Sequence, residues 1–199
     1  MKHDRHGAKQ PHRFDPAKAP LLDDRARFEW VPPGEVFRLL DVPQGGVIVD
    51  FGTGTGTYAI ELAAARPDVR MVALDEQQAM LDRLTAKLAA RPLGNLEPMM
   101  ARTAAARSLE GRVDRVLGLN VLHELGDEAL EELRVLLSPR GRAVFIDWNA
   151  DVERDVGPPR EHVYSPDAAA ARVERFGFQV DQRELFRFHY ALVCRSKEA

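Results

Sequence analysis

Carboxylates and glycines follow two strand-like segments of this sequence in a pattern that can bind a ligand. An apolar run over residues 47–49 ends at Asp50, and three alternating glycines follow at once over residues 52–56. A second apolar run, residues 71–74, ends at Asp75. A strand, a glycine turn and a helix let bare backbone approach a ligand at the carboxyl end of the strand, where the helix N-terminus points. The pattern therefore predicts a binding site at the carboxyl ends of these two strands.

The glycine spacing distinguishes two kinds of cofactor. A dinucleotide-binding turn has its third glycine five residues after the first. Here that position is Thr57, and the third glycine, Gly56, comes one residue earlier. With Asp50 two residues before Gly52, the pattern acid-x-Gly-x-Gly-x-Gly resembles the first motif of class I S-adenosylmethionine-dependent methyltransferases, whose ligand carries no phosphate. Asp75 then matches the second strand-terminal acid, which is placed to accept hydrogen bonds from both ribose hydroxyls.

The order of the elements predicts an α/β fold. Strand and helix patterns alternate from residue 47 to residue 177, which favours a doubly wound, mostly parallel sheet with helices on both faces. Phe178–Phe186 and Phe188–Cys194 are separated by so short a connection that only an antiparallel hairpin can join them. Pro98 restricts the third strand to a sheet edge or a bulge. The family resemblance implies seven strands in the order 3-2-1-4-5-7-6, with the last strand antiparallel.

The resemblance extends from about Phe14 to Val193. Within the family the chain is similar to the bacterial quinone-methyltransferase-like branch, because it has Phe14-Asp15-Pro16 near its start and Gly157-Pro158-Pro159 later. We interpret residues 1–13 as a mobile N-terminal arm and residues 14–199 as a single domain. Within that domain, residues 14–42 are expected to form an N-terminal lid or helix, and residues 43–199 the cofactor-binding core.

Composition limits the other possibilities. The chain has 199 residues, of which 45% are hydrophobic and 30% charged, and no apolar run reaches the ~20 residues that span a bilayer. One cysteine and a polar N-terminus without an apolar signal core favour a reducing, cytoplasmic location. A net charge of -3 gives no general attraction to nucleic acid. The three histidines before residue 13 lack the spacing and companion ligands of a metal site, so no metal is expected.

The resemblance implies S-adenosylmethionine as the cofactor and assigns residues to it. Glycine-loop backbone should approach the methionyl portion, Asp75 the ribose, and the start of the next helix the adenine. The expected cofactor residues are Asp50, Gly52, Thr53, Gly54, Asp75, Glu76, Met80, Thr103 and Asn120. Met80 is equally compatible with plain core packing. After the third strand, where many members carry an acid, this chain has Arg102-Thr103-Ala104, so Thr103 or backbone is expected to replace that acid.

Two residues after the fourth strand are candidates for the reaction itself. Asn120 occupies the position that lies next to the transferred methyl group in the family. Val121 and Leu122 replace the two prolines typical of enzymes that methylate amino groups of bases or glutamine. His123 is the candidate general base, because the pKa of an unperturbed imidazole lies near neutrality; the alternative is a local hydrogen bond with Glu124. Other candidates to line the acceptor pocket are Asp147, Trp148, His162 and Tyr164.

Methyl transfer to a small-molecule acceptor by in-line displacement is the function that these features favour. The expected partner is a small-molecule substrate, with no nucleic acid and no membrane involved, and the oligomeric state stays open. A domain that binds the cofactor without turnover is the non-enzymatic alternative. A nicotinamide-dependent oxidoreductase is disfavoured by the displaced third glycine. Protein or RNA acceptors remain a further alternative.

Overall fold

Seven strands form one sheet in the computed structural model, which describes residues 14–197. Their order is β3-β2-β1-β4-β5-β7-β6. The strands are β1 (Val47–Phe51), β2 (Arg70–Asp75), β3 (Leu96–Met100), β4 (Val113–Leu119), β5 (Leu137–Trp148), β6 (Phe178–Leu185) and β7 (His189–Ser196). Strands β1 to β5 pair in parallel, and β7 pairs antiparallel with both β5 and β6. The expected strand order and the reversed last strand are both confirmed.

Helices cover both faces of this sheet. The α-helices are α1 (Arg27–Trp30), α2 (Pro33–Leu40), α3 (Thr57–Ala65), α4 (Gln78–Ala90), α5 (Ala104–Arg107), α6 (Asp127–Leu136) and α7 (Pro166–Arg175). Two 3-10 helices span Pro16–Asp23 and Arg160–His162. One apolar cluster joins α2, α3 and α4 to the sheet, and a second joins α5, α6 and α7 to its other face. The chain is therefore doubly wound, as expected.

Burial on both faces explains why β1 reads as an uninterrupted apolar run. Ile48 belongs to the cluster under α2 to α4, whereas Val49 belongs to the cluster under α5 to α7. Both side chains are fully buried. A central parallel strand needs apolar residues at every position, since neither of its faces meets water. The strand continues for two residues beyond the apolar run, through Asp50 to Phe51.

Four local patterns of the sequence can be compared with the structure. Pro98 predicts an edge strand or a bulge, Ser165 and Asp127 predict helix caps, and residues 138–141 predict a turn before the fifth strand. Two of these predictions agree with the structure and two differ from it. Pro98 lies in β3, which is an edge strand as expected. Ser165 caps α7, because its hydroxyl accepts a hydrogen bond from the Ala168 backbone at 3.2 Å. Asp127 does not cap α6; the cap position is Gly126. The expected turn before the fifth strand is part of β5, which begins at Leu137 and is followed by a shift in its register with β4.

The N-terminal segment lies along the carboxyl ends of the central strands. Residues 1–13, interpreted above as a mobile arm, lie outside the described residues. From Phe14 onward the chain forms the first 3-10 helix and α1, and the Tyr58 hydroxyl ties α1 to α3. That hydroxyl donates to the carbonyls of Arg27 and Val31 at 3.1 and 2.9 Å. Among residues 14–197, no helix combines the length and apolar character needed to cross a membrane.

Candidate active site

A cavity of about 1650 Å³ opens at the carboxyl ends of the central strands. Most of the residues predicted for the site line it. They are Asp50, Gly52, Thr53, Gly54, Asp75, Glu76, Met80, Asn120 and His123. The topology brings them together because the strand order changes direction between β1 and β4, and the loops on either side diverge there.

The glycine loop is held in place by the end of the neighbouring strand. The backbone N–H groups of Gly52 and Thr53 donate to the Leu74 carbonyl at 2.8 and 3.0 Å. Gly52 has a φ of +74°, and a Cβ at this position would lie 2.6 Å from Val121 Cγ2. Glycine is therefore required for two reasons, the left-handed backbone and the close approach of the loop after β4.

Asp50 is a buried carboxylate at the start of the glycine loop. One of its oxygens accepts a hydrogen bond from the Thr53 hydroxyl at 2.7 Å. Burial raises the pKa of Asp50 to about 6, and the nearby Asp75 carboxylate adds to the rise while Thr53 and Arg27 oppose it. A cation bound at this carboxylate would favour its ionised form. The position is thus suited to a cationic group such as a protonated amine.

Asp75 joins the second strand to the glycine loop. One carboxylate oxygen accepts from the Gly54 backbone and the other from the Gln77 backbone, both at 2.8 Å. Burial raises its pKa, although these two backbone hydrogen bonds act in the opposite direction. Each carboxylate oxygen has further acceptor capacity, so both remain able to accept from neighbouring hydroxyls of one ligand. Asp75 is not the cap of α4, since the cap position is Gln77.

Thr103 is the one expected cofactor residue that does not line the cavity. Its hydroxyl donates to the Met100 carbonyl at 2.9 Å and accepts from the Ala106 backbone at 3.2 Å. Both contacts belong to the start of α5, where Thr103 is the N-cap. The cavity wall after β3 is formed instead by Ala101 and Arg102.

Asn120 lies at the end of β4 in a left-handed conformation, with a φ of +56°. Its backbone N–H donates to the Ile146 carbonyl at 2.7 Å. Its side-chain oxygen is buried and has no hydrogen-bond partner within residues 14–197. A positive φ is uncommon outside glycine, although asparagine tolerates it best, and such residues often occur at functional sites.

His123 is paired with Asp147, the carboxylate that ends the neighbouring strand β5. Its Nδ1 lies 2.8 and 3.0 Å from the two carboxylate oxygens, and its backbone N–H donates to Oδ2 at 2.9 Å. Burial lowers the pKa of His123, but the charges of Asp147 and Glu124 outweigh it, so the pKa lies above its ordinary value. This pairing was not predicted from the sequence, which placed Asp147 in the acceptor pocket. The sequence feature that could have indicated this pairing is Asp147 itself, an acid near the end of β5, the strand that pairs with β4.

Glu124 is a second buried carboxyl beside the same imidazole. Its Oε1 lies 3.6 Å from His123 Nε2. Burial raises the pKa of Glu124 to about 7, while His123 and the backbone of Phe14 oppose the rise. The Phe14 carbonyl also accepts from the Gln77 side chain at 3.1 Å. The backbone of Phe14 thereby connects the wall after β2 to the wall after β4, across the cavity.

The first 3-10 helix covers the glycine loop. Leu22 lines the cavity, and its Cδ1 would lie 2.9 Å from a Cβ placed on Gly54. The next residue, Asp23, accepts hydrogen bonds from the hydroxyls of Thr55 and Thr57 at 2.6 and 3.0 Å. No local sequence pattern marks this contact, because it joins residues more than 30 positions apart.

The acceptor loop, residues 149–164, and α7 form the remaining wall. His162 and Tyr164 line the cavity as predicted. Asp147 and Trp148 are buried behind it and do not line it. Trp148 is instead enclosed by other side chains, with its ring 5.7 Å from that of Trp30 and 4.1 Å from that of His189. Among residues 14–197, no group of three or more metal-binding side chains is present.

Comparison with known proteins identifies the fold and the family. Residues 49–143 match the family described as a methyltransferase domain. The crystal structure of an S-adenosylmethionine-dependent methyltransferase from Aquifex aeolicus superposes with a TM-score of 0.83 and 28% identity, covering 92% of this chain and 98% of that one. The chain carries a methyltransferase domain on the fold of the class I S-adenosylmethionine-dependent methyltransferases.

Curated relatives of this methyltransferase act on different acceptors. It is 34% identical over 80 residues to a 16S rRNA (adenine(1408)-N(1))-methyltransferase of Streptoalloteichus hindustanus, a match that covers 40% of this chain and 35% of that protein. It is 29% identical over 110 residues to a ubiquinone/menaquinone biosynthesis C-methyltransferase of Geotalea uraniireducens, covering 53% and 47%. The matches span about a third to a half of these relatives, and the second supports the quinone-methyltransferase-like branch only weakly.

The site of this methyltransferase fits the cofactor of the family. S-adenosylmethionine carries a cationic amino group, two ribose hydroxyls and a positively charged sulfur. The cavity offers Asp50 and Asp75 as buried carboxylates, and both lie against a loop whose glycines leave space for a ligand. The carboxylates thus match the charges and donors of the cofactor. Asn120 and His123 line the same cavity on its β4 side.

Proposed function

We propose that this protein transfers a methyl group from S-adenosylmethionine to a small-molecule acceptor. One observation carries the proposal. The glycine loop with Asp75, and the loop with Asn120 and His123, face one cavity that the N-terminal segment covers. Such an arrangement can hold a cofactor and an acceptor together and limit their contact with water, which is what an in-line displacement needs.

The cofactor residues follow from the contacts above. Bound S-adenosylmethionine supplies an electrophilic methyl group on a sulfonium. Asp50 holds the amino group of the methionyl portion beside the backbone of Gly52, Thr53 and Gly54, and Asp75 accepts from the ribose hydroxyls. Glu76 and Met80, at the start of α4, border the adenine, and Ala101 and Arg102 close its far side through their backbone. Asn120 lies beside the methyl group and orients the acceptor.

The covering segment supports a small acceptor. Residues 14–42 act as a lid in this proposal, and residues 43–197 form the core that binds the cofactor. Phe14 crosses the cavity through its contacts with Gln77 and Glu124, and Leu22 lies over Gly54. A base within folded RNA, or a side chain within a protein loop, would need this cover displaced. The ribosomal RNA methyltransferase among the relatives makes RNA the acceptor class to test against.

Cofactor binding is the first test. Isothermal titration calorimetry should detect binding of both S-adenosylmethionine and S-adenosylhomocysteine, and NAD(H) should not bind. Asp75→Ala should abolish the heat of binding, whereas Glu110→Gln, which changes an exposed carboxylate in the turn before β4, should not change it. Heat with NAD(H) and none with the sulfonium cofactor would overturn the assignment.

Acceptor class is the second test. The protein is incubated with methyl-labelled S-adenosylmethionine and, separately, a small-metabolite extract, 16S ribosomal RNA and a protein extract. Label is expected in the small-metabolite fraction. Label that appears only in RNA or protein would refute the small-molecule acceptor and leave methyl transfer standing. Binding without transfer to any fraction would favour a domain that binds the cofactor without turnover.

A further inference from the structure

The pairing of His123 with Asp147 determines which ring nitrogen is available for chemistry. The Asp147 side chain is fully buried, and each of its oxygens already accepts from a backbone N–H. Oδ1 accepts from Trp148 at 2.7 Å, and Oδ2 accepts from His123 at 2.9 Å. An ionised carboxylate only accepts hydrogen bonds, so the imidazole nitrogen that faces it must carry the hydrogen. Nδ1 faces Asp147, so in the neutral ring the lone pair is on Nε2.

The other ring nitrogen, Nε2, faces the carboxyl group of Glu124. His123 lines the cavity, and its Nε2 lies 3.6 Å from Glu124, which lines it as well. The His123 side chain is 7% exposed, so bulk water has little access to it. A base that is positioned, oriented by a buried carboxylate and directed into a substrate cavity is the arrangement used for proton abstraction.

Resting on the proposed function, we infer that the acceptor group is a hydroxyl, whose proton His123 takes at Nε2 while Asp147 holds Nδ1. A neutral amine attacks with its own lone pair and loses its proton afterwards, so it needs no positioned base. A neutral hydroxyl is a weak nucleophile, and removal of its proton during attack raises its reactivity. The dyad is therefore what an alcohol or phenol acceptor requires.

The step balances with the cofactor as the only co-reactant. The O–H proton moves to Nε2, and the oxygen forms a bond to the methyl carbon. The carbon–sulfur bond of the sulfonium breaks, and its electron pair stays on sulfur. The positive charge of the sulfonium thereby becomes the positive charge of the imidazolium, which Asp147 and Glu124 stabilise. His123 later returns its proton to solvent.

Charged groups from each neighbouring element act on this ring. Asp147 on β5 and Glu124 beside His123 favour the imidazolium, whereas Arg154 of the acceptor loop opposes it. On β7, His189 and Tyr190 are buried next to Asp147, and the charge of Asp147 acts on the pKa of both. The two carboxylates prevail, so the pKa of His123 is raised. The rate should therefore rise with pH through that pKa, as the ring loses its proton.

Nuclear magnetic resonance tests the dyad without any acceptor. In the full-length protein with S-adenosylhomocysteine, the ring ¹⁵N shifts of His123 should show hydrogen on Nδ1 in the neutral form. Asp147→Asn should lower the pKa of the ring and shift hydrogen toward Nε2. Glu110→Gln, a change far from the ring, should alter neither. A neutral ring with hydrogen on Nε2 in the unsubstituted protein would overturn the inference, whether or not the variants fold.

The transferred methyl tests the acceptor. A metabolite extract is incubated with cofactor that carries a ¹³C-methyl group, and the shift of the product methyl distinguishes bonds to oxygen, nitrogen, sulfur and carbon. A methyl ether or ester is expected. With the acceptor so found, His123→Gln should lower kcat about 100-fold or more, the usual contribution of a positioned base. The Kd of the His123→Gln variant for S-adenosylhomocysteine should stay within about twofold of that of the unsubstituted protein.

The outcomes separate the two proposals. Product methyl on nitrogen, sulfur or carbon would refute the hydroxyl acceptor while methyl transfer stands. An unchanged kcat in His123→Gln would also refute it. Failure to bind the cofactor in calorimetry would refute the proposed function instead, and the ring ¹⁵N shifts of His123 in the free protein would still decide the dyad.

Discussion

The ammonium of Lys87 on α4 lies 2.5 Å from the carboxylate of Asp23 in the first 3-10 helix. The hydroxyls of Thr55 and Thr57 donate to the same carboxylate oxygen, and Lys87 also donates to the Thr55 carbonyl at 2.8 Å. Burial acts to raise the pKa of Asp23, but these donors outweigh it and the pKa is lowered. The N-terminal segment is thus attached to the glycine loop itself, through contacts that are partly exposed.

Loss of this attachment should weaken cofactor binding. Lys87→Met removes the ammonium and keeps most of the aliphatic stem. Since a hydrogen bond to a charged group contributes about 1.5–3 kcal/mol when well formed, and the pair is partly solvated, we expect a loss of about 1 kcal/mol, or roughly fivefold in the Kd for S-adenosylmethionine. Isothermal titration calorimetry measures this change in Kd. Arg83→Met, which removes an exposed cation from the same helix, is the control. Equal Kd values for the two variants would contradict the coupling.

Gly56 of the glycine loop and Gly111 in the turn before β4 should differ in how much they tolerate a methyl group. Gly56 has a φ of +74°, and a Cβ there would overlap the Leu84 side chain, which is fully buried. Gly111 has a similar φ of +69° with nothing within 4 Å. Backbone strain costs about 1 kcal/mol or more at either position, and overpacking adds about 1–3 kcal/mol at position 56 alone.

Urea unfolding should therefore rank the two alanine variants. Gly111→Ala should lose about 1 kcal/mol of the free energy of unfolding, and Gly56→Ala about 2–4 kcal/mol. The difference between the variants isolates the contact with Leu84, since the strain is common to both. Equal losses would mean that α4 moves away from the loop without cost.

Local pattern predicted most of the elements and the residues around the glycine loop that line the cavity, and the reason is physical. A strand buried on both faces must be apolar throughout, and a loop that leaves it in a left-handed backbone must use glycine, as at Gly52. These requirements appear within a few adjacent residues. The pairing of His123 with Asp147 depends on which strand lies beside β4 and on its register, and no local pattern records that.

The same argument explains why the prediction for Thr103 differs from the structure. The resemblance predicts Thr103 or backbone near the adenine, because many members of the family carry an acid at that position. The Thr103 hydroxyl is used by the first turn of α5, and a short polar side chain before a run of alanines is equally typical of an N-cap. Both hydrogen bonds of the Thr103 hydroxyl are made within the start of α5, so the hydroxyl needs no ligand contact.

Cofactor binding should depend on pH through Asp50. The pKa of this carboxyl is about 6 in the folded protein because it is buried. The protonated form is therefore favoured in the fold, and this contribution to stability is complete below the ordinary pKa near 4 and is lost as pH rises through 6. A bound amino group favours the ionised form. Binding should thus release a proton near pH 6, and affinity should rise between pH 5 and pH 7.

Calorimetry at pH 5, 6 and 7, in buffers of different ionisation enthalpy, measures the released proton. Asp50→Asn should bind more weakly at pH 7 and show a much smaller dependence on pH. Some dependence is expected to persist, since burial also raises the pKa of Asp75. A variant that retains the full pH dependence would exclude Asp50 as the titrating group.

Thr103→Ala separates a role in the fold from a role in the site. The change removes the hydroxyl that accepts from the Ala106 backbone at 3.2 Å, so the N-cap of α5 is lost. Loss of such a cap costs about 1 kcal/mol, which thermal or urea unfolding detects. The Kd for S-adenosylmethionine should change less than twofold, because Thr103 does not line the cavity. Thr103→Ser keeps the hydroxyl and should restore stability. A tenfold loss of affinity with normal stability would instead return Thr103 to the adenine site.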